Sequence, residues 1–444
     1  MVSRKKLCAA AAFALCALIL SGCSAASLLA GGADDLLRAP TLNAQQAEVS
    51  QALRSTLNLE DIIYRHPLRG SAPVVFRDLD GDGVDEAIVF YSLSARPSEI
   101  WVKILRRDGD GAWASYYDIP GSGDQIEFIE FANLTSLSLP CMLLGWMNSA
   151  RQERYIEIYV MSDIGFERQY SGSYAAYTVA SGSGLPRLLL AAQERRNAPF
   201  ELRLLGGVGG RLYNLAQMRL DEDAGEILRM QQSVLWDNSR AIILDVQLDR
   251  GTVGTEIIRY TPSALQLVAG GALGEDSPEK SYFLETFRPE PELSLDIDGK
   301  GFVMIPFLLP LPGIEEHDEL EPLRMTVFYR PTENGLAEDR SAVVDHSGGY
   351  LLFFPERWLG SVTVADNPEA NQRSFHIYDQ RTQLLGQELL RIAAYSGYDY
   401  SEEPGGYFLL AERSAMRYYA YLPELEGEPL ALGREELEEL FSLI

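Results

Sequence analysis

Short apolar runs recur along this chain at nearly even intervals, and that recurrence limits its possible folds more than any other property. Five such runs stand out: Ala87–Phe90, Cys141–Leu144, Leu188–Leu190, Ala241–Leu244 and Phe302–Ile305. The first four are each followed by a turn and a second run in which polar and apolar residues alternate: Ile100–Ile104, Tyr155–Tyr159, Phe200–Leu204 and Thr255–Arg259. Alternation with period two marks strands with one face buried. Taking Ile88, Met142, Leu188, Ile242 and Val303 as markers, the intervals are 54, 46, 54 and 61 residues. Ala114–Tyr117 and Leu265–Val268 read as third strands closing two of the units. A mainly β fold follows. A unit near fifty residues built from three or four antiparallel strands matches a β-propeller blade. An all-β sandwich with regular turns would produce the same runs.

The start of the chain carries an address. Arg4, Lys5 and Lys6 precede an apolar run from Leu7 to Leu20, and Leu20-Ser21-Gly22-Cys23 follows. Charge, length and small-residue exit are those of a secretory signal over residues 1–22. The run is short for a membrane-spanning helix. Its end resembles the lipobox of bacterial lipoproteins, which implies a lipid on Cys23, attachment to a membrane and an outward-facing chain. Residues 23–42 then read as a tether. Cys8 and Cys16 fall in the segment to be removed, so Cys141 is left alone, without a disulfide or thiolate-cage partner. The formal net charge of −26 sets a field that repels nucleic acid and favours cations.

The densest chemistry is Asp78-Leu79-Asp80-Gly81-Asp82-Gly83-Val84-Asp85-Glu86, running straight into the first apolar strand. Calcium needs six to eight oxygens, and carboxylates at alternate positions of a tight loop converge on one point. An EF-hand counted from Asp78 requires Glu at position twelve, where Val89 stands, so that frame fails. The expected ligands are the side chains of Asp78, Asp80, Asp82 and Glu86 with the carbonyl of Val84. Loop and strand together resemble the FG-GAP (VCBS-type) repeat of integrin-alpha-like β-propellers. That resemblance implies a structural calcium held between strands of a blade. A degenerate copy, Asp296-Ile297-Asp298-Gly299-Lys300-Gly301-Phe302, puts Lys300 in place of the third carboxylate and Met304 where Glu86 would be. The copy is expected to keep the turn and lose the metal. Asp108-Gly109-Asp110-Gly111 and Gly206–Gly210 read as hairpin turns.

Pro331–Gly335 is turn-rich and reads as a linker. It divides residues 43–330, a propeller-like domain opening with a helix at 43–57, from residues 336–444, a small α+β domain. In the latter, helices are expected at Thr382–Ala394 and Arg434–Leu443. The four histidines, His66, His317, His346 and His376, lack helical zinc spacing. Asp345-His346-Ser347 contains the letters of a triad, but adjacency in sequence is not triad geometry. The tyrosine-bearing loop Tyr395–Tyr400 suits a packed loop or contact with a protein or glycan. Together these features describe a membrane-anchored, extracytoplasmic, non-catalytic binding or scaffold protein with an unnamed protein or glycan ligand. The alternatives are an extracytoplasmic hydrolase of cell-wall glycan or peptide, with a site built from scattered carboxylates, and an accessory lipoprotein of a transport or assembly complex.

Overall fold

In the computed structural model, the described residues are 44–57, 61–70, 72–162, 165–182, 184–195, 198–221, 223–248, 251–268, 286–289, 292–314, 324–367, 370–396, 405–413 and 416–444. The signal, Cys23, His317, Tyr398 and Tyr400 lie outside them. The described chain is mainly β, with six antiparallel sheets laid down in chain order.

A helix, α1 (Ala44–Leu57), comes first. Sheet one follows with β1 (Ile62–Tyr64), β2 (Val74–Arg77), β3 (Glu86–Leu93), β4 (Arg96–Arg107) and β5 (Trp113–Pro120). Here β1 and β2 pair end to end along one edge of β3. Sheet two is β6 (Gln125–Ala132), β7 (Cys141–Asn148), β8 (Glu153–Ser162) and β9 (Gly165–Ser173). Sheet three is β10 (Ala176–Ala180), β11 (Arg187–Gln193), β12 (Phe200–Val208) and β13 (Arg211–Arg219). Sheet four is β14 (Glu226–Val234), β15 (Arg240–Gln247), β16 (Thr252–Tyr260) and β17 (Leu265–Leu267), with β18 (Arg288–Pro289) added beside β16. Sheet five is β19 (Ile305–Pro310), β20 (Arg324–Thr332), β21 (Gly335–Asp345) and β22 (Tyr350–Phe353). Sheet six orders β23 (Val362–Asn367), β24 (Gln372–Asp379), β25 (Leu384–Ser396), β27 (Met416–Tyr421) and then β26 (Phe408–Arg413). The short helix α2 (Arg434–Leu440) leads to β28 (Phe441–Leu443), which returns to pair with β22.

Four of the sequence markers fall on the second strands of their sheets, and the run after each forms the third. The first strands were less visible: in β6, Ile126, Phe128 and Ile129 are all buried around a bulge, so strict alternation is lost. Hydrophobic clusters join one sheet to the next throughout, first to second, second to third and so on to the sixth. The opposite face of sheet one takes α1, through Val49 and Leu53 against Val74, Ala87, Val89, Leu105 and Trp113. Among the described residues, no hydrophobic cluster joins sheet six to sheet one.

Two expectations about the C-terminal part are corrected. The Pro331–Gly335 break is the turn of the β20–β21 hairpin, with Thr332 paired to Gly335, and lies inside sheet five. It is no linker, because both flanking segments are spent on one ladder. The helix expected at Thr382–Ala394 is the long strand β25, bonded to β24 on one side and β27 on the other. The α+β reading of residues 336–444 fails with it: α2 is the only α-helix among their described residues. Cys141 is buried, 3.4 Å from Thr135 Oγ1, as a core residue.

Candidate metal centre

The acidic loop caps the β2–β3 hairpin, whose last register pair is Arg77 with Glu86. Gly81 and Gly83 take left-handed φ values of 78° and 86°, which side-chain-bearing residues resist. Leu79 is completely buried in the core between sheets one and two and pins the loop from beneath. The aspartates then fold back onto their own backbone. Asp78 accepts from the N–H groups of Gly81 (2.7 Å) and Gly83 (3.1 Å). Asp80 accepts from Asp82 N–H at 3.1 Å, and Asp82 accepts from Val84 N–H at 2.7 Å.

Three carboxylates converge. One oxygen from each of Asp78, Asp80 and Glu86 lies within 4.8 Å of the others, and no other such group forms among the described residues. Glu86 is the unusual member. Only 1% of it is exposed. Its Oε2 accepts from Leu79 N–H at 2.8 Å, while Oε1 is buried with no hydrogen-bond partner. Burial chiefly, then the charges of Asp80, Asp82 and Asp78, push this carboxyl up to about 7 against the opposing Leu79 N–H. Arg106 approaches Asp80 Oδ2 at 3.4 Å from a half-exposed position. A hard cation with oxygen ligands fits this set: it would partner the orphaned oxygen and offset the crowded negative charge.

Asp82 is not brought into the three-carboxylate group and instead closes the turn at Val84, whose side chain is exposed. The second loop repeats the same skeleton. Asp296 accepts from Gly301 N–H (2.8 Å) and Asp298 from Lys300 N–H (3.3 Å), with Gly299 and Gly301 at φ 67° and 86°. Lys300 Nζ then sits 2.9 Å from Asp298, so this loop carries its own cation.

Other polar groups that the sequence suggested or concealed are committed elsewhere. In Asp345-His346-Ser347, Ser347 Oγ donates to Asp345 at 2.6 Å, while His346 Nε2 lies 2.9 Å from Glu292. The three letters form no relay. Sequence reasoning missed a buried clip in which Asp245 receives Arg288 (2.8 Å), Thr255 Oγ1 (2.6 Å) and Ser294 N–H (2.6 Å). Its partners lie up to 49 residues apart, and no local pattern announces them.

No protein-family model matches the chain, and no curated protein matches it. Among solved structures, the periplasmic gluconolactonase PpgL of Pseudomonas aeruginosa aligns over 74% of this chain and 94% of its own, with 11% identity and a TM-score of 0.28. A hypothetical protein from Leishmania major aligns over 64% and 91%, with 10% identity and a TM-score of 0.22. At these TM-scores neither likeness bears on function.

Proposed function

We propose that this chain is a lipid-anchored extracytoplasmic protein whose propeller-like stack of sheets, stabilised by calcium at the first loop, serves as a non-catalytic binding or scaffold surface. The observation that carries the calcium reading is the buried, unpartnered Glu86 Oε1 beside Asp78 and Asp80. A buried polar atom left unpaired costs free energy that a cation would recover. Asp78, Asp80 and Glu86 would hold the ion, and Asp82 would keep the loop closed. The propeller reading is supported by six consecutive antiparallel sheets, with the first strands of sheets two, three and four side by side. Tyr177 of β10 bonds Glu130 of β6 at 2.7 Å, and Gln232 of β14 bonds Thr178 of β10 at 2.9 Å. The resemblance to FG-GAP repeats rests on the loop at residues 78–86 and its degenerate copy at 296–302, each leading into a strand. The anchor rests on the lipobox ending at Cys23.

One series of variants tests the reading. A ligand that binds only the folded state raises stability by mass action. Calcium should raise the unfolding temperature of the wild-type chain. Asp80→Ala should abolish most of that response, and Asp298→Ala should leave it intact. In the same cells, Cys23→Ala should lose labelling by a fatty-acid analogue. An undiminished calcium response in Asp80→Ala would refute the metal site, and full labelling of Cys23→Ala would refute the anchor.

A further inference from the structure

The outer face of sheet one is only partly covered. Along β3, Phe90 points into the core shared with sheet two, and Val89 points to the α1 side. Tyr91, one residue on, shares the Val89 side by strand alternation. Where α1 no longer covers this face, a cavity of about 230 Å³ opens, lined by Tyr91, Leu93, Arg96, Glu99, Trp101 and Asp118. Its size falls below the roughly 300–1,000 Å³ of clefts for drug-sized ligands and suits a single ring.

The lining is built rather than accidental. Tyr91 sits opposite Trp101 in the β3–β4 register, and Lys103 sits opposite Asp118 in β4–β5. The hairpin that forms the rim is braced by Arg65, which donates to Ser92 Oγ at 2.9 Å and to the Pro97 carbonyl. The charges cancel in pairs: Arg96 with Glu99 at 3.1 Å, and buried Lys103 with Asp118 at 2.8 Å. A charged ligand of either sign would have to displace one of these partners. The two aromatic rings, in contrast, keep polar groups unspent. No hydrogen bond among the described residues engages the Tyr91 hydroxyl or the Trp101 indole N–H, and neither is a buried unpartnered atom, so both are within reach of a ligand in the pocket. Burial and Asp118 push the Tyr91 phenol up to about 12, so it remains a donor.

We infer that this pocket binds the ring of a neutral sugar. The apolar C–H face of a pyranose packs on Trp101 and Tyr91. Its hydroxyls accept from the phenol, the indole and Arg96, and donate to Asp118 and Glu99. This assigns a ligand class to the binding reading above and rests on it.

Titration calorimetry of the full chain with methyl glycosides of glucose, galactose, mannose and N-acetylglucosamine tests the inference, with methylammonium and acetate as charged probes. At least one glycoside should bind with about millimolar affinity, as expected for so small a ligand. Trp101→Ala should weaken it at least tenfold, and Tyr91→Phe and Asp118→Asn each severalfold. The inference is wrong if no glycoside binds, if only a charged probe binds, or if affinity is unchanged in Trp101→Ala. Should Trp101→Ala fail to fold, unchanged affinity in both Tyr91→Phe and Asp118→Asn overturns it equally. The calcium response is read independently of these heats, so a failed sugar site and a failed metal site are told apart.

Discussion

Glu86 and Glu256 show how one physical cause produces two different roles. Burial is the main reason that each carboxyl is pushed up to about 7. Glu86 faces two carboxylates with an unpartnered oxygen, whereas Glu256 accepts from the Asp221 N–H at 2.8 Å in the core of sheet four, near the Asp221 charge. Glu256 therefore supplies a pH test free of metal. Below its ordinary value of 4.5 it is protonated folded and unfolded alike and contributes nothing. As pH rises from 4.5 to about 7 the unfolded chain ionises first, and the folded state progressively loses stability; above about 7 the full cost persists. By linkage that cost is about 3 kcal/mol. Glu256→Gln keeps an acceptor for Asp221 N–H and removes the charge. It should raise stability by about 1–3 kcal/mol at pH 8 and by little at pH 4.5, as read by urea unfolding at the two pH values. A gain of equal size at both would show that the carboxylate is not strained in the fold. The loop at Asp78 was legible because its carboxylates are adjacent in sequence. The turn-closing role of Asp82 was not, because it depends on whether a side chain folds back to its own backbone.

Among the elements, second and third strands were legible and β25 was not. Leu385, Leu389 and Ile392 follow the i, i+4, i+7 spacing of an amphipathic helix, and the spacing is misleading. In the structure, register shifts around His376 break the alternation of β25. Leu389 and Leu390 are therefore both buried, while Leu385 is 56% exposed. Gly386, with a helix-interior cost of about 1 kcal/mol, was the local signal against a helix. The two readings diverge in a measurable way. A helix would bury Leu385 with Leu389, so Leu385→Ala and Leu390→Ala rank the two structures. Leu390→Ala should cost about 2–5 kcal/mol, as for a core truncation, and Leu385→Ala no more than about 0.5 kcal/mol. Denaturant midpoints measure both, and a reversed order would restore the helix. The clip formed by Asp245, Arg288, Thr255 and Ser294 escaped notice for the complementary reason: only the tertiary fold brings its members together.

For the whole molecule, the decisive point is where cooperativity is divided. The sequence placed a boundary at residues 331–335, since Pro, Asn and Gly are turn formers wherever they occur and do not distinguish a linker from a hairpin. In the fold, β21 is bonded to β20 through seven register pairs and to β22 through four. A fragment of residues 336–444 would lose β19 and β20, two of the five strands of sheet five. It would strip Ala342 and Leu351 of Met304 and Phe328, their buried partners on the other face of the sheet, and take Leu311 from the core shared with sheet six. The C-terminal end ties the same unit together from the opposite side. Phe441 of β28 stacks on Tyr350 at 5.3 Å, Leu437 of α2 is fully buried in the core between sheets five and six, and Trp358 Nε1 donates to the Leu430 carbonyl at 2.7 Å. Fragment 336–444 should therefore be molten or insoluble alone, without the sharp near-ultraviolet signal that a buried Trp358 would give in a packed core. Limited proteolysis of the full chain should spare the Thr332–Gly335 turn, because the ladder is paired right up to Thr332 and Gly335. Removal of residues 434–444 should lower the unfolding temperature of the whole chain, because sheets five and six then lose Leu437 and Phe441 together. A fragment that unfolds cooperatively, or a clean cut at 332–335 leaving two resistant halves, would mean that sheet five is not the continuous ladder described, and that the chain folds as two units divided there.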